Sequence, residues 1–386
     1  MKAPIHPSIT QEEYSRRITG IIILAFTIGS ILPALSVEAY AIIPYERSLF
    51  KALGASLIFF SFLSLWRTRD LTLGSMGAPL FIILCGIYLS LTISAMLWDF
   101  PQAITLFLRL VSAAMIAIFL LNLTKNELSL LLKYLILTGA LLSILSIIEV
   151  WLGSARGEKI PILNVHTSKS LIFEQNVFGI YIYFCLLLTP YVTKTTEKRA
   201  LIAILTPGLL LSFYRTVYAL SALRIVMAFP KLSLAMLMSI LFITPIDTNF
   251  LAEAMKADQI STLSGRDDLW RIGLDSFLDN PIFGSSEFSI PEVSNRELRR
   301  DPPFTTYHNI IVDLAAAGGI FSVLLYLIFS AACLILSKGI DRVTVALLFA
   351  PALFNSYIPF APNPLGVMIG SAIVLLCRLN TEKAPS

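Results

Sequence analysis

Three polar side chains stand at the edges of long apolar runs: Arg215, Arg266 and His308. Arginine presents a planar set of N–H donors that suits phosphate or carboxylate oxygens. Arg266 falls in the opening turn of a predicted helix, where free backbone N–H groups also attract anions. Histidine titrates near neutral pH, so His308 could take or donate a proton. These residue types predict a site that binds an anionic group and moves a proton.

Each of these residues also has a simpler interpretation. Arg215 could snorkel towards lipid headgroups, and His308 could be an ordinary solvated loop residue. The helix that carries Arg266 could be a capped amphipathic helix lying on a membrane surface. The neighbouring sequence is therefore needed to distinguish the functional interpretation from the simpler one.

The helix predicted around Arg266 lies within the long polar stretch from Ser264 to Asn309. Ser264 predicts its N-cap, and Asn280-Pro281 predicts its end, because proline cannot continue a helix. Trp270 shares a face with Arg266, and Asp267 stands four residues before Arg271, the spacing of a supporting ion pair. The pair Asp267-Asp268 is interpreted as favouring the helix N-terminus rather than as a metal site.

Composition places the chain in a membrane. Of its 386 residues, 56% are hydrophobic and 14% are charged, against about a quarter charged in a soluble protein. Apolar runs near the length of a spanning helix recur throughout, and they predict an all-α integral membrane protein. The net charge of +4 bears on orientation and gives no indication of nucleic-acid binding. All four cysteines lie inside apolar runs, so neither disulfides nor a metal site is predicted.

About 12 transmembrane helices are predicted from these runs. Residues 1–246 form an N-terminal transmembrane bundle of about nine helices, residues 247–306 one large outer loop bearing short helices, and residues 307–386 the C-terminal transmembrane helices. The approximate spans are Ile18–Val37, Leu49–Trp66, Ala78–Trp98, Ala103–Leu123, Leu128–Leu152, Val177–Val192, Ala200–Tyr214, Thr216–Phe229, Leu232–Ile246, Asn309–Ser337, Val343–Phe360 and Leu365–Leu379.

Lysine and arginine concentrate in alternate loops, which the positive-inside rule assigns to the cytoplasm. This bias predicts that both termini are cytoplasmic and that the 247–306 loop faces outward. That loop holds eleven Asp or Glu residues against six Lys or Arg residues, which suits a translocated segment. Arg109 falls inside a predicted span, where an arginine is costly unless it lines a site or snorkels.

The order of these features resembles the bacterial O-antigen ligase and O-antigen polymerase superfamily. The resemblance rests on an arginine at the outer end of a mid-chain span, Ser-Gly-Arg with a tryptophan four residues on, Asn-Pro-x-x-Gly, and His308-Asn309 opening a span. Phe173–Gly179, which contains Asn176, is similar to a Phe-x-x-Asn element of the family. The similarity covers residues 173–327, and it departs from the family pattern at Tyr214-Arg215-Thr216 and at Ser285-Ser286.

The resemblance implies a glycosyltransferase of the large helical class, in the bacterial inner membrane with its site at the periplasmic face. Its donor would be a polyprenyl-diphosphate-linked glycan and its acceptor lipid A core or another glycan, with membrane lipids as surroundings and with no cofactor or metal ion. Arg215, Arg266 and His308 would be catalytic. Arg109, Asn176, Trp270, Arg271 and Asn309 would bind substrate.

Several functions remain open at this point. A ligase and a polymerase share the donor site, and no motif in the sequence separates them. A protein-glycosylating transferase is a third interpretation. A solute or anion transporter, with Arg109 and Arg215 along a path, belongs to a different class, although no internal repeat is visible. A structural scaffold in polysaccharide export is the remaining alternative.

Overall fold

The fold is a bundle of helices, seen in a computed structural model that describes residues 11–32, 46–69, 71–153, 159–160, 165–166, 175–212, 214–228, 266–285 and 307–381. The helices are α1 Gln11–Ile31, α2 Glu46–Thr68, α3 Gly74–Trp98, α4 Phe100–Asn122, α5 Lys125–Trp151, α6 Gln175–Val192, α7 Thr195–Ser212, α8 Arg215–Ala228, α9 Arg266–Asp279, α10 Ile310–Leu336, α11 Gly339–Phe349 and α12 Pro364–Thr381. Strands β1 Lys159–Ile160 and β2 Val165–His166 form a short antiparallel ladder.

Four of these helices are long and apolar enough to cross a membrane: Gly77–Trp98, Phe100–Asn122, Lys125–Trp151 and Ile310–Leu336. Shorter apolar helices cover Arg17–Ile31, Asn176–Val192 and Pro364–Leu379. The predicted all-α membrane class is confirmed at this level. The predicted span at 232–246 and the greater part of the 247–306 loop lie outside the described residues.

The bundle is held together by antiparallel neighbours with buried apolar seams. Helices α3 and α4 form a hairpin, and α10 packs along the other side of α3. Helices α5, α6 and α7 pack against one another, and α12 lies against α5. One buried cluster runs through all of them, because each helix turns an apolar stripe inward and a second apolar stripe outward. Outward apolar stripes are what a helix in lipid requires.

The loops rich in lysine and arginine converge at one end of this bundle. The Arg69 guanidinium forms a salt bridge with Glu127 at the start of α5. Arg378, near the end of α12, donates hydrogen bonds to the carbonyls of Leu121 and Leu123. The opposite end carries exposed aromatic side chains, with Trp98 58%, Phe100 65% and Trp151 83% exposed. Aromatic residues at the ends of spanning helices are typical of a membrane interface.

One predicted span differs from the structure. The run Val343–Phe360 is helical only as far as Phe349, after which Ala350–Leu353 forms a 3₁₀ turn. Pro351 lacks the N–H that would continue the α-helical ladder, so the helix ends there. The residues that follow form an irregular linker before α12, and this linker reaches the candidate site described below.

Helix α10 is interrupted at Gly319, and the chain that follows α9 fills the interruption. Gly319 has φ 67° and ψ −163°, which breaks the helical ladder. The N–H of Ser285 donates to the carbonyl of Ala316 at 2.8 Å, and the N–H of Ile320 donates to the carbonyl of Pro281 at 2.9 Å. The Asn280–Ser285 loop therefore supplies the partners that the broken helix lacks.

Candidate functional site

Helix α9 lies directly on the first turns of α10, because Gly273 allows close approach. A Cβ at residue 273 would lie 2.4 Å from Val312 Cγ1 and 3.0 Å from Tyr307 Cδ1. Leu269, Tyr307, Val312 and Ala316 form a small buried cluster at this contact, with Trp270 packed beside it. The loop that fills the break in α10 fixes the other end of α9. Together these contacts hold the N-terminus of α9 close to the residues that precede α10.

Arg266, the first residue of α9, lies near two side chains from distant parts of the chain. Its guanidinium is close enough to the His308 imidazole and to the Tyr214 hydroxyl to interact with both electrostatically. The three residues come from the start of α9, the turn before α10 and the turn between α7 and α8. The structure therefore brings together two of the predicted site residues, Arg266 and His308, and adds Tyr214.

Tyr214 ties the turn before α8 to the rest of this end of the bundle. Its hydroxyl donates to the carbonyl of Phe354 at 3.3 Å, in the irregular linker that follows α11. Its backbone carbonyl accepts the N–H groups of Val217 and Tyr218, and so begins α8. Gly179 of α6 packs against it, since a Cβ there would lie 2.9 Å from Tyr214 Cβ.

Two predicted residues flank Tyr214. Arg215 is the first residue of α8 and is half-buried, so it stands one position from the tyrosine that Arg266 contacts. Asn176 lies in the first turn of α6, one turn before Gly179, and is also half-buried. Both therefore lie on elements that meet at Tyr214.

His308 is held neutral by its surroundings. Burial is the main cause that lowers the pKa of its imidazole, and the nearby Arg266 charge lowers it further, to about 4. At neutral pH the ring therefore carries no charge and has a nitrogen able to accept a proton. The residue also has a φ of 54°, in the left-handed region that non-glycine residues rarely adopt. Such a conformation persists only where surrounding contacts hold it.

The remaining residues predicted at this end have distinct environments. Asn309 caps α10, and its side-chain oxygen accepts the N–H groups of Ile311 at 2.9 Å and Val312 at 3.4 Å. The indole nitrogen of Trp270 is buried and has no hydrogen-bond partner among the described residues. Arg271 is exposed and pairs with Asp268 at 3.4 Å, one position away from the predicted Asp267 partner.

Arg109 lies at a different depth. It is on the exposed side of α4, close to Tyr88 of α3. Ser90, half a turn beyond Tyr88, contacts Ser322 of α10 at 2.7 Å. Ser322 is twelve residues into α10, roughly 18 Å along a helix from its start. The structure thus separates Arg109 from the group around Arg266.

Comparison with known proteins bears on the segment that contains this group. Residues 183–327 match the family model described as O-antigen ligase. The expected relationship to the O-antigen ligase superfamily is thereby confirmed. The segment that matches the O-antigen ligase family includes Arg215, Arg266, Trp270, Arg271, His308 and Asn309, whereas Arg109 and Asn176 lie before it.

At family level, this relationship indicates a membrane glycosyltransferase of the O-antigen ligase or polymerase type. No curated protein and no solved structure matches the chain. Among the described residues, no three His, Cys, Asp or Glu side chains are grouped so as to hold a metal ion.

Sequence reasoning missed two members of this region, Tyr214 and Asp313. Tyr214 was assigned to the end of an apolar span, and its contact with Arg266 joins residues more than fifty positions apart. Asp313 is a carboxylate inside the apolar run that forms α10, and it is fully buried. An ionisable residue within an apolar run indicates a functional role, so the sequence alone is sufficient to single out Asp313.

Proposed function

We propose that this protein transfers a polyprenyl-diphosphate-linked glycan to an acceptor at the periplasmic face of the inner membrane, as an O-antigen ligase with lipid A core as acceptor. The observation that carries the proposal is the position of Arg266, at a helix N-terminus and beside a neutral histidine. A cation and free backbone N–H groups suit the departing diphosphate, and a neutral imidazole suits the attacking hydroxyl.

The proposed reaction is a direct displacement at the anomeric carbon. The acceptor oxygen forms a bond to that carbon while the bond from the carbon to the diphosphate oxygen breaks. His308 takes the proton of the acceptor hydroxyl, and the electron pair leaves with the polyprenyl diphosphate. Arg266 and Arg215 stabilise the negative charge that grows on the leaving group. A single displacement inverts the configuration of the anomeric carbon.

The other predicted residues have supporting roles in this proposal. The buried indole N–H of Trp270 would donate to a substrate oxygen, and Asn176 would contact the donor near Tyr214. Asn309 would act through the helix that it caps. Arg271 points to solvent beside Asp268 and would affect only the approach of the acceptor. Arg109 would meet the apolar part of the donor or the lipid headgroups rather than its diphosphate.

A cell that lacks this gene provides the test. Complementation with the wild-type gene should restore glycan on lipid A core, resolved by size on a gel. Arg266→Ala should lower the rate of transfer by about 100-fold or more, because one donor to the developing charge is lost. Arg67→Ala, an exposed arginine at the end of α2, is the matched control and should restore wild-type display.

The pattern of products separates the open assignments. Core without glycan, with long chains still present on the lipid carrier, supports a ligase. Core that carries one repeat unit would show a polymerase instead. Full restoration by Arg266→Ala, with uptake of a labelled anion dependent on the gene, would overturn the transferase assignment in favour of a transporter.

A further inference from the structure

Asp313 is a fully buried carboxylate in the first turn of α10. Burial of a carboxylate is costly unless hydrogen bonds compensate for the lost water. Helix α10 does not need this side chain for its N-cap, because the Asn309 side chain already accepts the N–H groups of Ile311 and Val312. The role of Asp313 therefore has to be inferred from its other hydrogen bonds.

The carboxylate of Asp313 holds the chain on both sides of His308. Its Oδ1 accepts the backbone N–H of Tyr307 at 3.0 Å. The backbone N–H of Asn309 also stabilises the carboxylate electrostatically. The residue between these two N–H groups is His308, whose φ of 54° requires support from its surroundings.

The second carboxylate oxygen is held from another part of the chain. Oδ2 of Asp313 accepts a hydrogen bond from the Ser356 hydroxyl. Ser356 lies in the irregular linker after α11, two residues beyond Phe354, whose carbonyl accepts the Tyr214 hydroxyl. The linker from Phe354 to Ser356 therefore contacts both Tyr214 and the carboxylate that holds the turn of His308.

We propose that Asp313 is a positioning residue, supported by Ser356, that holds His308 in its left-handed conformation facing Arg266. This inference rests on the proposed function, since it assigns Asp313 a task only if His308 serves the acceptor. Asp313 does not touch the reacting atoms. It acts by fixing the backbone of the histidine, and displacement of a catalytic group by about 1 Å can cost 100-fold in rate.

The full-length protein, purified in detergent, allows the test. The donor is lipid-linked glycan extracted from cells that lack the gene, and the acceptor is their glycan-free core. Asp313→Ala should lower kcat between about 10- and 100-fold while KM for the donor changes by less than about twofold, because Arg266 remains in place. Asp313→Asn keeps an acceptor oxygen for the Tyr307 N–H and should recover much of the lost kcat.

One further variant tests the support of Asp313, and another is the matched control. Ser356→Ala removes one hydrogen bond to Asp313 and should lower kcat less than Asp313→Ala does. Ser322→Ala alters a buried serine of the same helix that bonds to Ser90, and it should leave kcat unchanged. Amounts of folded protein, measured by size-exclusion chromatography and thermal unfolding, are compared for all variants.

The outcomes separate the positioning role from the proposed function. If His308→Ala is inactive and Asp313→Ala retains wild-type kcat, the positioning role is wrong and the function stands. If His308→Ala is fully active, the role of the histidine in the proposed function is wrong, and the inference fails with it. Equal loss in Asp313→Ala and Asp313→Asn, in proportion to a loss of folded protein, would show a structural residue only.

Discussion

At the residue scale, the surroundings of a titratable side chain change its pKa. Burial together with the charge of Arg266 lowers the pKa of His308 to about 4. The neutral form is therefore retained well below the pKa of a free histidine, about 6.5. An anionic substrate that binds to Arg266 compensates the charge, and so should raise the pKa of His308.

The first residue-scale prediction concerns pH. The value of kcat/KM should stay nearly constant from about pH 7.5 down to about pH 5. A catalytic histidine with the ordinary pKa of about 6.5 would instead cause kcat/KM to decrease below that pH. Arg266→Gln should move the pKa of His308 upward by part of the shift only, since burial remains. The chain has three histidines, so replacing His6 and His166 by asparagine leaves His308 as the single NMR signal to titrate.

The sign of the linked change in stability follows from the same shift. Between pH 6.5 and 4 His308 is protonated in the unfolded chain but not in the folded protein, so its contribution to the free energy of unfolding should decrease as the pH falls. The wild-type protein should therefore lose stability relative to His308→Gln over this range, while the titration of all other groups is common to both proteins. A His308 signal that titrates near pH 6.5 in the wild-type protein would contradict both statements.

At the scale of elements, the contact between the 280–285 loop and α10 depends on positions where only glycine fits. A Cβ on residue 319 would lie 2.3 Å from the Ile282 carbonyl oxygen, and one on residue 284 would lie 2.7 Å from the Ala316 oxygen. Both glycines also have positive φ. The loop and the broken helix therefore approach each other through backbone alone.

We expect Gly319→Ala to destabilise the protein by about 3 kcal/mol or more, because the methyl group cannot be accommodated beside the Ile282 carbonyl. Gly339→Ala is the matched control, since Gly339 also has positive φ but open space around it. It should cost only the conformational strain, about 1 kcal/mol. Thermal unfolding in detergent measures both, and similar shifts for the two variants would disprove the proposed packing.

Hydropathy predicted the helices well and their irregularities poorly. The run Asn309–Ser337 corresponds to α10, and Ala78–Trp98 lies within α3, because apolar length alone decides where a helix spans lipid. The break at Gly319 was not predicted, since its cause is a loop more than thirty residues earlier in the chain. The linker after Phe349 is difficult to predict for a different reason: it is as apolar as a spanning helix, and Pro351 is what ends the helix there.

The candidate site was predicted to a similar extent. The sequence indicates Arg266 and His308 because each stands where a polar segment meets an apolar one, and their catalytic role stays a prediction. Tyr214 was missed, since a tyrosine at the end of an apolar run looks like an interface residue. The sequence places Arg109 inside a span, but its separation from Arg266 follows from the packing of α3 on α10, which no local pattern encodes.

At the scale of the whole molecule, the two ends of the bundle differ in character. The salt bridge between Arg69 and Glu127 and that between Lys133 and Glu197 lie at one end. The group around Arg266 lies at the other, with the exposed Trp98 and Trp151. This polarity supports the proposal that the site faces the periplasm, since basic loops favour the cytoplasm.

Cysteine labelling would test this orientation. In a background with Cys85 replaced by serine, Leu152→Cys should react with a membrane-impermeant maleimide once the outer membrane is permeabilised. Lys194→Cys, exposed at the opposite end, should react only after the inner membrane is opened. The reverse pattern would place the site in the cytoplasm and exclude a periplasmic transferase.

The interruption of α10 also has a consequence for biosynthesis. Residues 280–285 leave the ribosome before α10, and the carbonyl of Ala316 and the N–H of Ile320 find their partners there. In hydrocarbon, unpaired backbone groups cost several kcal/mol each, so the interrupted helix is stable in lipid only with the 280–285 loop in place. In the proposed orientation the earlier loop crosses the membrane before α10 is made, and we expect α10 to meet that loop on leaving the translocon. Maturation of this end of the protein would then be ordered along the chain from Arg266 towards Leu336.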